Sequence, residues 1–115
     1  MGVNRHIVVA DTEAEARDVA NRAYPAWRHH MGLLWHQYNI PFPLEAATPP
    51  DFNVVLDRGD AIAGTPAQVR EFIAHEIAET GINYYVCDFA FGTMTHADAL
   101  RSAILFAQEV MPAFQ

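Results

Sequence analysis

Three times in this sequence a short run of β-branched or aromatic residues is followed, a few positions on, by a threonine placed to cap a helix. The runs are His6-Ile7-Val8-Val9-Ala10, Ala61-Ile62-Ala63-Gly64 and Ile82 to Phe91, and the threonines are Thr12, Thr65 and Thr95. Each threonine has Glu15, Gln68 or Asp98 three positions later, the spacing at which the side chain and the helix's first free amides satisfy one another. Pro66, at the first helical position after Thr65, strengthens that start because it brings no unsatisfied N–H and its φ is already helical. Short apolar strands that alternate with helices bury both strand faces only in a parallel sheet with helices packed over it. The pattern therefore predicts an α/β fold of three parallel βα units.

The units are bounded at 5–38, 61–80 and 82–112, with a proline-rich connection over 39–60 that carries Pro41, Pro43, Pro49 and Pro50. In the first unit Pro25 is expected to end or kink the helix near Tyr24, because it lacks a backbone donor. A second stretch then carries Trp27, Met31, Leu34, Trp35 and Tyr38 on one stripe, which reads as core. Within the connection, Asn53 to Leu56 is expected to form a short strand or a helical turn. The helix after Thr65 should span 66–80, with Gly81 as its stop, and the last helix 96–111 before Pro112.

Half of the 115 residues are hydrophobic (51%), enough to supply a core at this length. Seven arginines, no lysine and 14 acids give a formal charge of −7. Such a balance excludes an autonomous nucleic-acid binder, since phosphate neutralisation needs clustered cations. One cysteine excludes an intrachain disulfide and a cysteine-based zinc site. No run approaches the length of a membrane span. No membrane association is expected, and a reducing, cytoplasmic setting is the expectation.

Ligands of parallel α/β folds sit beyond the carboxyl ends of the strands. Three turns qualify: Ala10 to Thr12, Ala63 to Pro66 and Phe91 to Thr95. At the second, Gly64 permits close backbone approach and Thr65 offers a hydroxyl and an amide at a helix start, which suits a phosphate. The plainer alternative is that Thr65 only caps its helix. Among other candidates, the six histidines lack metal-ligand spacing, so no metal site is expected. Cys87 reads as a buried thiol and Ser102 as a small residue near a helix start. Asp88 needs either a structural partner or a ligand, because an acid within an aromatic strand is expensive to bury alone. Arg70 and Arg101 read as surface ion-pair partners or aids to a phosphate. No catalytic residue is assigned.

Arg5 to Ala16, Ala63 to Val69, Phe89 to Gly92, and Ala99 to Ser102 through Val110-Met111-Pro112 resemble, in that order, the carboxyl-terminal portion of the luciferase-like flavin-dependent monooxygenases. The resemblance implies the last part of a (β/α)₈ barrel, a fold of eight units and about 250 residues, so that three units are incomplete as a single chain. It implies reduced flavin mononucleotide (FMN), or a deazaflavin in sister groups, as cofactor and a small organic molecule as substrate, oxygenated with O₂. By position, Gly64 and Thr65 would hold the flavin phosphate, with Gly92 a close neighbour. A segment contributing that corner is expected to be inactive alone and to need the missing part of the barrel. The alternative is a noncatalytic α/β module that self-associates through its open strand edges, as a homo-oligomer.

Overall fold

The central strand, β1 (Gly2–Val9), is hydrogen-bonded along both edges, but at different heights. Its upper residues His6 to Val9 pair in parallel with Ala61 to Gly64 of β2 (Ala61–Gly64). Its lower residues Gly2 to His6 pair in parallel with Tyr84 to Asp88 of β3 (Tyr84–Asp88). The computed structural model, which describes residues 1–115, thus contains one parallel sheet of order β2-β1-β3. Four α-helices complete it: α1 (Glu13–Gln37), α2 (Phe52–Asp57), α3 (Pro66–Thr80) and α4 (His96–Leu105). A π-helical turn (Phe106–Val110) and a 3₁₀ turn (Met111–Phe114) prolong α4. No helix is long and apolar enough to cross a membrane.

The α/β class, with three parallel strands alternating with helices, is as the sequence pattern predicts. Spatial order differs from chain order. β1 stands between β2 and β3, whereas three consecutive barrel units would place their strands side by side in sequence. Alternation of side chains along β1 explains how both neighbours are covered. Ile7 and Val9 join Val69 and Ile73 of α3 and Val110 beyond α4 in one core, against which Tyr85, Cys87 and Phe89 also pack. Val8 and Ala10 join Ala16, Ala20, Ala23 and Tyr24 of α1, Phe52 and Val55 of α2, and Ala61 and Ala63 of β2 in a second core on the opposite face. Alanines on both sides let α1 lie close over β2. α3 and α4 therefore flank β1 and β3 on one face, α1 and α2 cover the upper part of the other, and β2 extends the sheet along the upper edge of β1, its Ile62 packing in the α3-side core.

All three threonine caps form as the spacing predicts: Thr12, Thr65 and Thr95 accept from the amides of Glu15, Gln68 and Asp98. The reciprocal bond, Gln68 back to the Thr65 amide, completes the box at α3. Gly81, in the left-handed region at φ 68°, ends α3. α1 does not end near Tyr24 but runs through Pro25 for 25 residues. Tertiary contact holds this turn: Tyr24 is buried, its hydroxyl donates to the Pro49 carbonyl, and Thr93 donates to the Arg22 carbonyl. The expected core stripe on the second half of α1 is corrected in part: Trp27 packs against the core and Trp35 against Phe42, whereas the rest of the stripe is exposed. Leu34 and Tyr38 are 61% and 67% exposed, because the sheet beneath α1 ends before this half of the helix is reached.

Ser102 has a structural task that composition did not reveal. β3 pairs with β1 only as far as His6, so the buried amide of Val9 has no strand partner on that side. The Ser102 hydroxyl, fully buried on α4, accepts from it at 2.8 Å. Ser102→Ala leaves a buried N–H unpaired and is expected to destabilise the chain by about 1–3 kcal/mol in urea unfolding.

Candidate functional site

All strands run parallel, so the turns after them lie toward their carboxyl ends, and the candidate residues divide by what already occupies them. At Gly64 the position of an added Cβ lies 2.6 Å from Gln68 Oε1, which accepts from the Thr65 amide at 2.9 Å. An oxygen atom of this chain therefore sits over Gly64 and occupies the Thr65 amide. Gln68 Nε2 donates onward to Glu13 at 2.9 Å, and that bond, with Arg17, holds the exposed Glu13 carboxyl below its ordinary range. Gly92 is occupied differently. At φ 61°, it lets the loop after β3 press on α1, where an added Cβ would lie 1.8 Å from the Ala23 carbonyl oxygen. Its role in this chain is close packing between that loop and the turn of α1 before Pro25.

Asp88, read from sequence as needing a partner, finds His6 across the β1/β3 register. Its Oδ2 lies 3.4 Å from His6 Nε2. The imidazole is walled by aromatic rings, with Trp27 and Phe91 edge-on at 4.5 Å and Phe52 at 6.5 Å. His6 Nε2 is the one buried side-chain nitrogen or oxygen without an aligned hydrogen bond. Burial pushes the imidazole pKa down, and the Asp88 charge opposes this less strongly. Sequence reading missed His6 as a site residue. Its only local signal was a polar residue at the start of an apolar strand, and its aromatic walls come from positions 21 to 85 residues away.

The same alternation puts Gly2 and Asn4 of β1, with Tyr84 and Val86 of β3, on the face that carries His6 and Asp88. That part of the sheet has no helix over it: Tyr84 is 68% and Val86 40% exposed. On the opposite face α3 and the turns beyond α4 pack over β3. There Glu76 of α3 receives Arg5 Nε at 2.9 Å and the Tyr85 hydroxyl at 2.6 Å. Burial and this carboxylate push the Tyr85 hydroxyl well above its ordinary pKa. Cys87, half-buried among apolar groups on that face, is pushed up to about 11, which keeps it a thiol at neutral pH. An apolar groove of about 390 Å³ lies beside it, lined in part by Ile73, Ile77, Tyr85 and Phe106. Arg101 pairs with Asp11 and Glu15, tying α4 to the turn after β1, and Arg70 donates to the Glu109 carbonyl. No group of three or more His, Cys, Asp or Glu is arranged to hold a metal.

These placements predict how glycine substitution and acid act on the fold. Gly92→Ala should cost more than Gly64→Ala in thermal melts, by about 1–3 kcal/mol, since backbone blocks the first and a movable side chain the second. Because His6 is harder to protonate folded than unfolded, stability should be intact above about pH 6.5 and decline as pH falls below it. His6→Phe should flatten that decline in urea midpoints measured between pH 7.5 and 5.

The fold is shared with proteins of known structure. The monooxygenase RslO1 from Streptomyces bottropensis superposes at a TM-score of 0.73 with 22% identity, over 99% of this chain and 31% of that one. The oxygenating constituent of 3,6-diketocamphane monooxygenase of Pseudomonas putida, a type II Baeyer-Villiger monooxygenase solved with FMN, superposes at 0.66 with 22% identity, over 96% and 32%. An uncharacterized protein, y4wF, of Sinorhizobium fredii is 29% identical over 111 residues, 96% of this chain and 32% of that protein. The chain thus spans about a third of the length of these proteins. No protein-family model matches it.

Proposed function

We propose that this chain is the carboxyl-terminal portion of a luciferase-like, flavin-dependent monooxygenase barrel, an oxidoreductase acting on a small organic substrate. The observation that carries the reading is the bare face of β1 and β3, opposite the face on which α3 and α4 pack. In a (β/α)₈ barrel the helices lie outside and the uncovered strand face lines the interior, with the site at the carboxyl ends. On this reading β1 with α3 and β3 with α4 are two neighbouring barrel units, and α1, α2 and β2 form an insertion at the mouth. The similarity to two monooxygenases, one of them solved with FMN, supports the same assignment.

The turn at Gly64 and Thr65 fits a phosphate in one respect on this structure: it already receives an oxygen, Gln68 Oε1, at the Thr65 amide. Flavin phosphate would take that oxygen's place, held by the Thr65 amide and hydroxyl over the bare Gly64, with Gly92 holding the neighbouring loop against α1. When bound, reduced flavin supplies the electrons with which O₂ is activated. The chain's own part is to position that phosphate, wall the cavity with apolar side chains and hold polar groups at its mouth. A deazaflavin would use the same phosphate contacts. The segment is expected to be inactive alone, to be completed by the rest of a barrel and to work in the cytoplasm.

The test is a chimera in which residues 1–115 replace the matched third of the Pseudomonas putida FMN protein. It should fold and retain FMN, with Gly64→Val weakening FMN at least tenfold and Gln68→Ala tightening it, as read by flavin fluorescence. A folded chimera that holds no FMN overturns the reading, and an unaffected Gly64→Val overturns the phosphate assignment. One observation favours the second reading, self-association: β3 pairs on one side only. Sedimentation at increasing concentration should then show dimers whose dissociation follows substitution of Val86 by lysine.

A further inference from the structure

One line of residues along α1 recurs in alternating steps of four and three: Ala20, Tyr24, Trp27, Met31, Leu34 and Tyr38. That spacing is the seam by which one helix packs along another. Its first three members seat within the chain, Ala20 and Tyr24 buried and Trp27 packed against the same core. The last three continue the line past the end of the sheet, where Met31, Leu34 and Tyr38 are 38%, 61% and 67% exposed. This half of the helix is held in place all the same. Phe42 of the returning chain packs on Trp35 at 5.4 Å, and Arg28 ties the return through Glu45 and the Thr48 carbonyl. The chain carries 7 arginines and 14 acids, yet none of them falls between His29 and Leu44.

We propose that the exposed half of this seam is an interface between two copies of the chain, their α1 helices antiparallel about a two-fold axis at Leu34. Leu34 then meets its own copy, and Met31 of each helix meets Tyr38 of the other, since each lies one seam step from the axis. The Met31 thioether against the Tyr38 ring is a favourable contact. The partner's helix takes up the layer that the sheet occupies beneath the first half of α1, so the two bodies stand at opposite ends of the paired helices. A parallel pairing is barred, because the first half of the partner's helix would fall where the sheet lies. Charge selects a second copy as the occupant. Two chains of −7 repel wherever their acids approach, and the stretch from His29 to Leu44 offers them a contact with no fixed charge on either side. A seam of about two helical turns buries less than the roughly 800 Å² per partner of a standard interface, so the dimer dissociates in the micromolar range. The inference asks nothing of the barrel or of flavin, and it uses a surface other than the open edge of β3.

The experiment is analytical ultracentrifugation of the full chain at increasing concentration. The unsubstituted chain should pass from monomer to dimer, and Val86→Lys should do the same. Leu34→Glu and Leu34→Lys, at a position 61% exposed, should keep the circular dichroism and melting temperature of the unsubstituted chain. Each should dimerise at least tenfold more weakly, because like charges meet on the axis. Mixed in equal amounts, the two variants should pair again, a recovery that requires residue 34 to face its own copy. A dimer unmoved by either Leu34 substitution overturns the proposal, and one dispersed by Val86→Lys instead assigns association to the strand edge. Variants that weaken the dimer without recovering on mixing overturn the axis at Leu34. A chain that stays monomeric at every concentration overturns the interface and leaves the seam to be covered by the remainder of a barrel. Loss of FMN from the chimera would change none of these masses, so the two readings fail separately.

Discussion

β1 shares eight residues between two partners, and the rest of the molecule follows from that stagger. Only His6 belongs to both ladders, pairing with Ala61 on one side and Asp88 on the other. Above it, β1 is sandwiched between the alanine face of α1 and the α3/α4 layer. Below it, β1 and β3 are covered on one face alone. A strand sandwiched along its whole length would read as continuously apolar. β1 does so only from Ile7 onward, and Gly2, Asn4 and His6 mark where the second cover stops.

The two faces of this lower half handle their polar groups in opposite ways. On the helix-covered face, Glu76 is surrounded: one oxygen faces the Arg5 guanidinium and the other receives the Tyr85 hydroxyl. Partly buried charge survives there because its lone pairs are filled, and the network ties β1, α3 and β3 together. On the other face, His6 Nε2 is buried 3.4 Å from Asp88 without an aligned hydrogen bond, while Asp88 keeps a third of its side chain in solvent. The loop after β3 links the two regions, since Phe91 walls His6 while Gly92 lets the same loop touch α1.

Seen against longer proteins, the arrangement has a consistent logic. The matched portion occupies about a third of each solved monooxygenase. On the barrel reading proposed above, a third of such a chain would keep the helix-covered outside of its strands and expose what would be the inside. Tyr84 and Val86, 68% and 40% exposed, are the apolar side chains left uncovered there.

Much of this was readable without coordinates, because it depends on residues close in sequence. Thr65, Pro66, Gln68 and Gly81 set both ends of α3 through hydrogen bonds spanning three or four residues, and Thr12 and Thr95 start their helices in the same way. Parallel α/β architecture followed from the alternation of short strands and capped helices. Local rules failed where distant contacts outweighed them. Pro25 did not end α1, because Tyr24 and the loop after β3 hold that turn, and Met31, Leu34 and Tyr38 stayed exposed because the sheet ends beneath them. The order β2-β1-β3, the duty of Ser102 toward Val9 and the meeting of His6 with Asp88 were decided by tertiary structure alone. Strand register brings residues 82 positions apart face to face, and no spacing rule along the chain encodes which edge of β1 each later strand will take.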